Sequence, residues 1–170
     1  MPLDRLWAGW RSDYVSGLTD DSASPEPDNR CVFCRLIAAT DDEAALVLER
    51  TDLTITVMNL YPYGSGHLMV APIRHVASFE LLDDAETLEL ARAQARAVRA
   101  IRAAYTPDGL NLGANLGRAA GAGIPGHLHV HVLPRWNGDT NFMTAVAEVR
   151  VLPERLEDGY RKLKAHWPAA

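Results

Sequence analysis

Long hydrophobic runs are missing from this chain of 170 residues. None approaches the roughly 18 apolar residues of a membrane span, so no membrane association is expected. An excess of positive charge is missing too: 17 Lys and Arg stand against 22 Asp and Glu, a formal net charge of −5. That balance argues against a general nucleic-acid binder, which carries a basic face, and any anion site must be local. Cysteine is scarce, with only Cys31 and Cys34, so there is no second Cys-x-x-Cys pair. Met1 to Trp10 lacks a secretory pattern, and a cytoplasmic protein is expected. Internal repeats are absent. What remains, 48% hydrophobic and 23% charged, fits one globular domain with a sizeable core and appendages.

The appendages are legible. Residues 1–30 form an aromatic segment, Leu6 to Tyr14, and a polar connector, Ser16 to Arg30, and the two tryptophans predict that the aromatic part docks on the core or a second subunit. Short β-like runs follow at Leu46–Leu48, Leu53–Met58 and His67–Ala71, with an obvious turn from Tyr61 to Gly66. Asp83-Asp84-Ala85-Glu86 reads as a capping box. The helix it opens carries Leu88, Ala91, Ala95, Val98, Ile101 and Tyr105 at helical spacing and stops at Pro107-Asp108-Gly109. A strand is expected over Leu110–Leu116. A last amphipathic helix, with Pro153 in its first turn, shares Leu156, Tyr160, Leu163 and Trp167 on one face, and His166 reads as surface.

The chemistry concentrates in Gly126-His-Leu-His-Val-His-Val-Leu-Pro-Arg135. On a strand, His127, His129 and His131 stand on one face about 7 Å apart while Leu128, Val130 and Val132 bury the other. Imidazoles so displayed suit phosphoryl chemistry or metal binding. Three polar rings on one face are hard to explain as packing, because each needs a partner. The preceding loop holds a literal GxGxxG at residues 121–126, yet Pro125 and the histidine strand follow where a dinucleotide fingerprint requires a helix. It reads either as a backbone cradle for an anion or as a plain hairpin loop. Arg135 is a phosphate partner or an ordinary surface arginine, and Asn59 a ribose ligand or a turn residue. Cys31 and Cys34 are a redox couple, half of a zinc site, or two small buried residues. Zinc needs two more ligands, for which His75 and His127 are available.

Taken together, His-Leu-His-Val-His-Val-Leu-Pro-Arg resembles the signature of the histidine triad superfamily of nucleotidyl hydrolases and transferases. The likeness extends to Asn59–Leu68, to Asn111–Gly117 and, in Arg135–Met143 and Leu6–Tyr14, to the family's diadenosine tetraphosphate phosphorylase-like bacterial branch. It implies an α+β fold, an antiparallel sheet of about five strands with a long helix packed on it, over residues 31–143, with 144–170 a C-terminal extension. Homodimers pairing those helices are implied as well.

The resemblance makes His129 the nucleophile that takes a nucleoside monophosphate from a dinucleoside polyphosphate, diadenosine tetraphosphate foremost. It puts His131 on the phosphates, and Asn59, His67, Asn115, Gly121, Ala122 and Gly123 around the nucleotide. A backbone carbonyl on the Asn111 strand is expected to fix the tautomer of His129. Zinc-containing relatives match Cys31, Cys34, His75 and His127 as a closed, structural metal site. Gly123 stands where the triphosphate hydrolase branch carries glutamine, which disfavours that branch, and Gly126 where phosphorylase relatives carry an acidic residue. Inorganic phosphate or water is the implied acceptor. The alternatives are a nucleotide-binding or sensing module without useful catalysis, a nucleoside phosphoramidase, and a metalloenzyme with His129 and His131 on the metal.

Overall fold

The structure, a computed structural model, describes residues 31–139 and 153–168. The aromatic segment, the polar connector and the stretch beyond Asp139 that completes Arg135–Met143 lie outside the described residues. Among those described, helix α1 spans Val32–Ala38, strands β1 to β3 span Val47–Arg50, Thr54–Met58 and Leu68–Pro72, and helix α2 spans Asp84–Tyr105. Strands β4, Gly109–Gly113, and β5, Val130–Arg135, come next, and helix α3, Leu156–Ala165, closes the series. The strands form one antiparallel sheet in the order β1-β2-β3-β5-β4, the five-stranded α+β arrangement anticipated above.

Alternation along β5 and the residues leading into it explains how the sheet acquires two different faces. Leu128, Val130 and Val132 turn to the side covered by α2 and α3, where they meet Leu90, Ala93, Ala97, Ala100, Ile101, Tyr160 and Leu163 in the main core. The other side is covered by α1. There Phe33 joins Val47, Ile55, Val57, Met69 and Ala71 in a smaller apolar cluster, and His131 lies on this face as the register partner of Met69.

Helix α2 begins where the capping box places it. Asp83 Oδ1 accepts from the Glu86 N–H at 2.8 Å, and Glu86 Oε2 accepts from the Asp83 N–H at 3.0 Å. The helix ends at Thr106, in a left-handed conformation with φ 44°, ahead of Pro107. Its expected stripe packs inward at Val98, Ile101 and Tyr105 but not over the first half of the helix. Leu88 is 51% exposed, and Ala91 and Ala95 face outward. Glu86, gripped by Arg74 at 2.7 and 2.6 Å, is on the buried side, in line with Leu90, Ala93 and Ala97.

Three further expectations need correction. Helix α1 was not anticipated. Strand β4 ends at Gly113, so Asn115 belongs to the loop, and α3 starts at Leu156, leaving Pro153 outside its first turn. Along α3, however, Leu156, Tyr160, Leu163 and Trp167 do share the inward face and His166 is exposed, as the spacing predicted. The Tyr160 hydroxyl donates to the Val47 carbonyl at 3.1 Å and Lys164 Nζ to the Leu48 carbonyl at 2.8 Å, so α3 closes the outer strand β1.

Candidate active site and metal centre

The histidine row is not a uniform display. Strand pairing begins only at Val130, and His127 and His129 lie in the irregular segment before it. His127 is fully buried, His129 is 6% exposed and His131 is half-buried, so the row runs from interior to surface. The rings of His129 and His131 meet edge to face with centroids 5.1 Å apart, closer than two side chains standing straight off a strand.

Hydrogen bonds assign a role to each nitrogen. His129 Nδ1 lies 2.8 Å from the main-chain oxygen of His127, so Nδ1 carries the proton and donates, and Nε2 holds the free lone pair. The carbonyl is therefore that of His127, two residues away, and not one on the Asn111 strand as expected. Burial lowers the pKa of His129, which keeps that lone pair unprotonated near neutrality.

A second chain of contacts fixes His131. The Tyr63 N–H donates to His67 Nδ1 at 3.0 Å, and Asn59 Nδ2 approaches the same nitrogen at 3.3 Å. His67 Nδ1 is then the acceptor, so Nε2 carries the hydrogen and donates to His131 Nδ1 at 2.9 Å. A neutral His131 must hold its proton on Nε2. Burial first, and the neighbouring His129 second, push its pKa down to about 4. His67 is sealed from solvent with both ring nitrogens engaged, so its reach toward a nucleotide runs through His131. Asn59 is committed to the turn, its Oδ1 accepting from the Tyr61 N–H at 3.0 Å. The Tyr63 ring covers both His67 and His131, at 4.6 and 5.6 Å.

The turn that carries Tyr63 depends on Gly66. It adopts φ +71°, and a Cβ there would come within 2.8 Å of the Tyr105 ring, so only glycine permits this approach. In the glycine loop, the Gly121 N–H donates to the Arg118 carbonyl at 2.9 Å and the Ala122 N–H to the Gly117 carbonyl at 3.2 Å. These two amides hold the loop's own shape; among the described residues the Gly123 N–H has no such partner. Asn115 Nδ2 reaches the Gly121 carbonyl at 3.4 Å and ties the loop to the end of β4. Arg135 is held at the end of β5 by Asp139 and by Asn111 Oδ1 at 2.8 Å.

Cys31, Cys34, His75 and His127 place their four ligand atoms within 4.8 Å of one another. Individual sulfur–nitrogen separations are 3.4 Å for Cys31 with His127, 3.2 Å for Cys34 with His75 and 3.8 Å for Cys34 with His127. A tetrahedron with zinc-length bonds spaces sulfur and nitrogen about 3.6 Å apart, so the donor set fits such an ion. His127 Nε2 donates to the Pro72 carbonyl at 2.9 Å, which leaves Nδ1 as the ligand nitrogen. Residues from α1, from the segment after β3 and from the approach to β5 thus converge on one centre. His129 and His131 are not part of it.

Sequence reasoning passed over Phe33 and Tyr63. Phe33 has no exposed surface and packs its ring 5.2 Å from His127 and 4.9 Å from His129. Its position inside Cys-Val-Phe-Cys was the available signal, as was the second tyrosine of the turn for Tyr63.

Comparison with known proteins agrees with this geometry. The HIT domain family model matches residues 40–138. The "AP-4-A phosphorylase" of Mycobacterium tuberculosis H37Rv is 42% identical over 168 residues, which is 97% of this chain and 85% of that protein. A zinc-bound histidine triad family protein from Mycobacterium smegmatis superposes with TM-score 0.64 at 28% identity, covering 80% of this chain and 91% of its own. A Hit-like protein from Bartonella henselae, 23% identical, shares the fold with TM-score 0.66 over 82% of this chain and 98% of its own. Because the family model spans more than half of the chain and carries the triad with it, this protein belongs to the histidine triad (HIT) family.

Proposed function

We propose that this chain is a nucleotidyl transferase that cleaves dinucleoside polyphosphates, diadenosine tetraphosphate foremost, through a covalent nucleotidyl-histidine on His129. The observation that carries this reading is the hydrogen bond from His129 Nδ1 to the His127 carbonyl, which leaves Nε2 as a neutral nucleophile. Similarity to the mycobacterial "AP-4-A phosphorylase" supports the substrate.

His129 Nε2 attacks the α-phosphorus, the bond to the bridging oxygen breaks, and the remaining nucleotide leaves. Negative charge on the nonbridging oxygens is met by the His131 Nε2–H and the Gly123 N–H. The acceptor then attacks phosphorus and releases His129. Inorganic phosphate as acceptor converts diadenosine tetraphosphate to ADP plus ATP, and water converts it to AMP plus ATP. Asn59 and Asn115 serve the nucleotide by holding the turn and the glycine loop in place.

In this reading Cys31, Cys34, His75 and His127 bind zinc. When bound, the ion supplies a closed four-ligand clip and no open coordination position for a catalytic water. Two reduced thiolates in such a site accord with a cytoplasmic protein. Residues 31–143 are the catalytic domain, and α3 of the extension completes its core. The exposed stripe Leu88, Ala91 and Ala95 is the face of α2 available for a homodimer, which sedimentation at twice the monomer mass would support and a single-chain mass would overturn.

Incubating the protein with diadenosine tetraphosphate, with and without inorganic phosphate, identifies the acceptor by its products. His129→Ala is expected to bind AMP yet lose more than about 10³-fold in turnover. Adduct trapping at alkaline pH is expected to show the nucleotidyl-histidine in the unsubstituted protein only. Undiminished turnover in His129→Ala overturns the assignment, and nucleotide binding with no turnover in the unsubstituted protein leaves a binding module instead.

A further inference from the structure

The segment that carries His129 has almost no regular structure to hold it. Ladder pairing to β3 starts at Val130, so the His127–Leu128 peptide and the His129 side chain are oriented by other contacts. Those contacts lead back to the four-ligand cluster. On one side of the His127–Leu128 peptide, the Leu128 N–H donates to the carbonyl of Val76, the residue after the cluster member His75, at 2.6 Å. On its other side, the His127 oxygen accepts from His129 Nδ1 at 2.8 Å. The His127 ring is fixed at both nitrogens, by the cluster and by the Pro72 carbonyl. Phe33, between Cys31 and Cys34 in the chain, packs against His127 and His129 alike.

We propose that Phe33 and the main chain of His127 are positioning elements that join the Cys31–Cys34–His75–His127 cluster to the His129 ring, so that the state of the cluster sets the tautomer and rotamer of the nucleophile. This rests on the reading of His129 as the nucleophile. A distant clip would raise fold stability and leave that ring unchanged. Here the one carbonyl that selects the reactive tautomer belongs to a cluster residue, and the apolar ring that backs the imidazole belongs to Phe33, which lies between the two cysteines in the chain. Loosening the cluster frees the peptide to rotate and lets His129 sample the opposite tautomer, whose Nε2 carries a proton and cannot attack.

The test uses the full chain labelled with ¹⁵N-histidine, loaded with Zn²⁺, then chelated, then reloaded. In the loaded protein, ring ¹⁵N spectra are expected to show His129 as a single Nδ1–H tautomer. After chelation the chain is expected to stay folded by circular dichroism while that signal becomes a mixture. Turnover of diadenosine tetraphosphate is expected to fall about tenfold or more, AMP affinity to stay within about threefold, and both changes to reverse on reloading. Phe33→Leu with full metal content is expected to show the same mixing and a kcat about tenfold lower at little-changed KM. A tautomer signal unmoved by chelation overturns the proposal, as does global unfolding on chelation, which would make the cluster a plain clip. Wild-type kcat and tautomer in Phe33→Leu overturn it too, and if that variant does not fold the chelation arm alone decides. Turnover surviving in His129→Ala would sink the nucleophile itself, whereas an inactive His129→Ala beside an unmoved tautomer sinks only the coupling.

Discussion

His67 shows how a fully buried residue can govern a half-buried one. Because the Tyr63 N–H has only a proton to offer, His67 Nδ1 must accept it, and His67 must then donate to His131. The direction of the proton on His131 is thus decided by a residue with no exposed surface of its own. Replacing the donor, in His67→Leu, leaves the Tyr63 N–H without its partner and frees His131 to invert. The expected cost is about 1–3 kcal/mol of stability from the orphaned amide, together with a fall in kcat of tenfold or more. Chemical denaturation and steady-state kinetics on diadenosine tetraphosphate measure the two, and a variant with unchanged kcat would show that the tautomer of His131 does not matter. The sequence offered His67 as a residue after a turn and, by resemblance, as one of those around the nucleotide. Its partner Tyr63 could not be paired with it on paper, since a backbone amide has no sequence signature.

Among the elements, α2 separates what a local pattern can decide from what it cannot. Its start was legible because the capping box is formed by residues three apart and needs nothing else. Removing the cap with Asp83→Ala is expected to destabilise the fold by about 1 kcal/mol, read as a lower denaturation midpoint at an unchanged m-value. A midpoint equal to that of the unsubstituted protein would deny the cap its role. The rotation of α2 was not legible. Both Leu88-Ala91-Ala95 and Leu90-Ala93-Ala97 have helical spacing, and the second is buried because it is the one that packs on the sheet residues of the main core, with Glu86 on the same side beside Arg74. Likewise β5 starts at Val130 and not at His127, since pairing depends on where β3 ends. Helix α1 is a short helix that lies against the second face of the sheet, and a seven-residue segment has little periodicity to betray it.

At the scale of the molecule, a histidine kept neutral by burial and a carboxylate held by Arg74 make acid the natural stress. The folded pKa of His131 lies near 4, below the ordinary histidine value of about 6.5. As pH falls below that ordinary value the unfolded chain takes up a proton that the folded one refuses, so stability declines from about pH 6.5 toward 4. Glu86 has the same sign: its hydrogen bond to Arg74 depresses its pKa, so its contribution is complete above the ordinary glutamate value and is lost as pH falls through the folded one. Thermal midpoints measured between pH 8 and 4 are expected to fall in two stages, with His131→Gln making the upper one shallower and His129, also lowered by burial, supplying what remains of it. Equal slopes in both proteins between pH 6.5 and 5 would remove His131 from the explanation.

The sequence by itself determined the components: an alternating strand whose apolar half must face a core, a capped helix, a glycine-bearing turn, and four residues with metal-ligand chemistry. The strand, the helix and the turn follow from spacing along a chain of fixed geometry, whereas the five-stranded α+β sheet and the full set of four ligands were implied by the resemblance that the histidine motif carries. The resemblance divided the parts among the three histidines, and only the tertiary structure supplied the contacts that make them differ. His127 turns to two cysteines more than ninety residues away, as the sequence separations of 96 and 93 in those contacts record, while His131 turns to His67. The three share one sequence pattern, and they differ only because each imidazole takes its proton position from whichever carbonyl, amide or ring the fold brings to it.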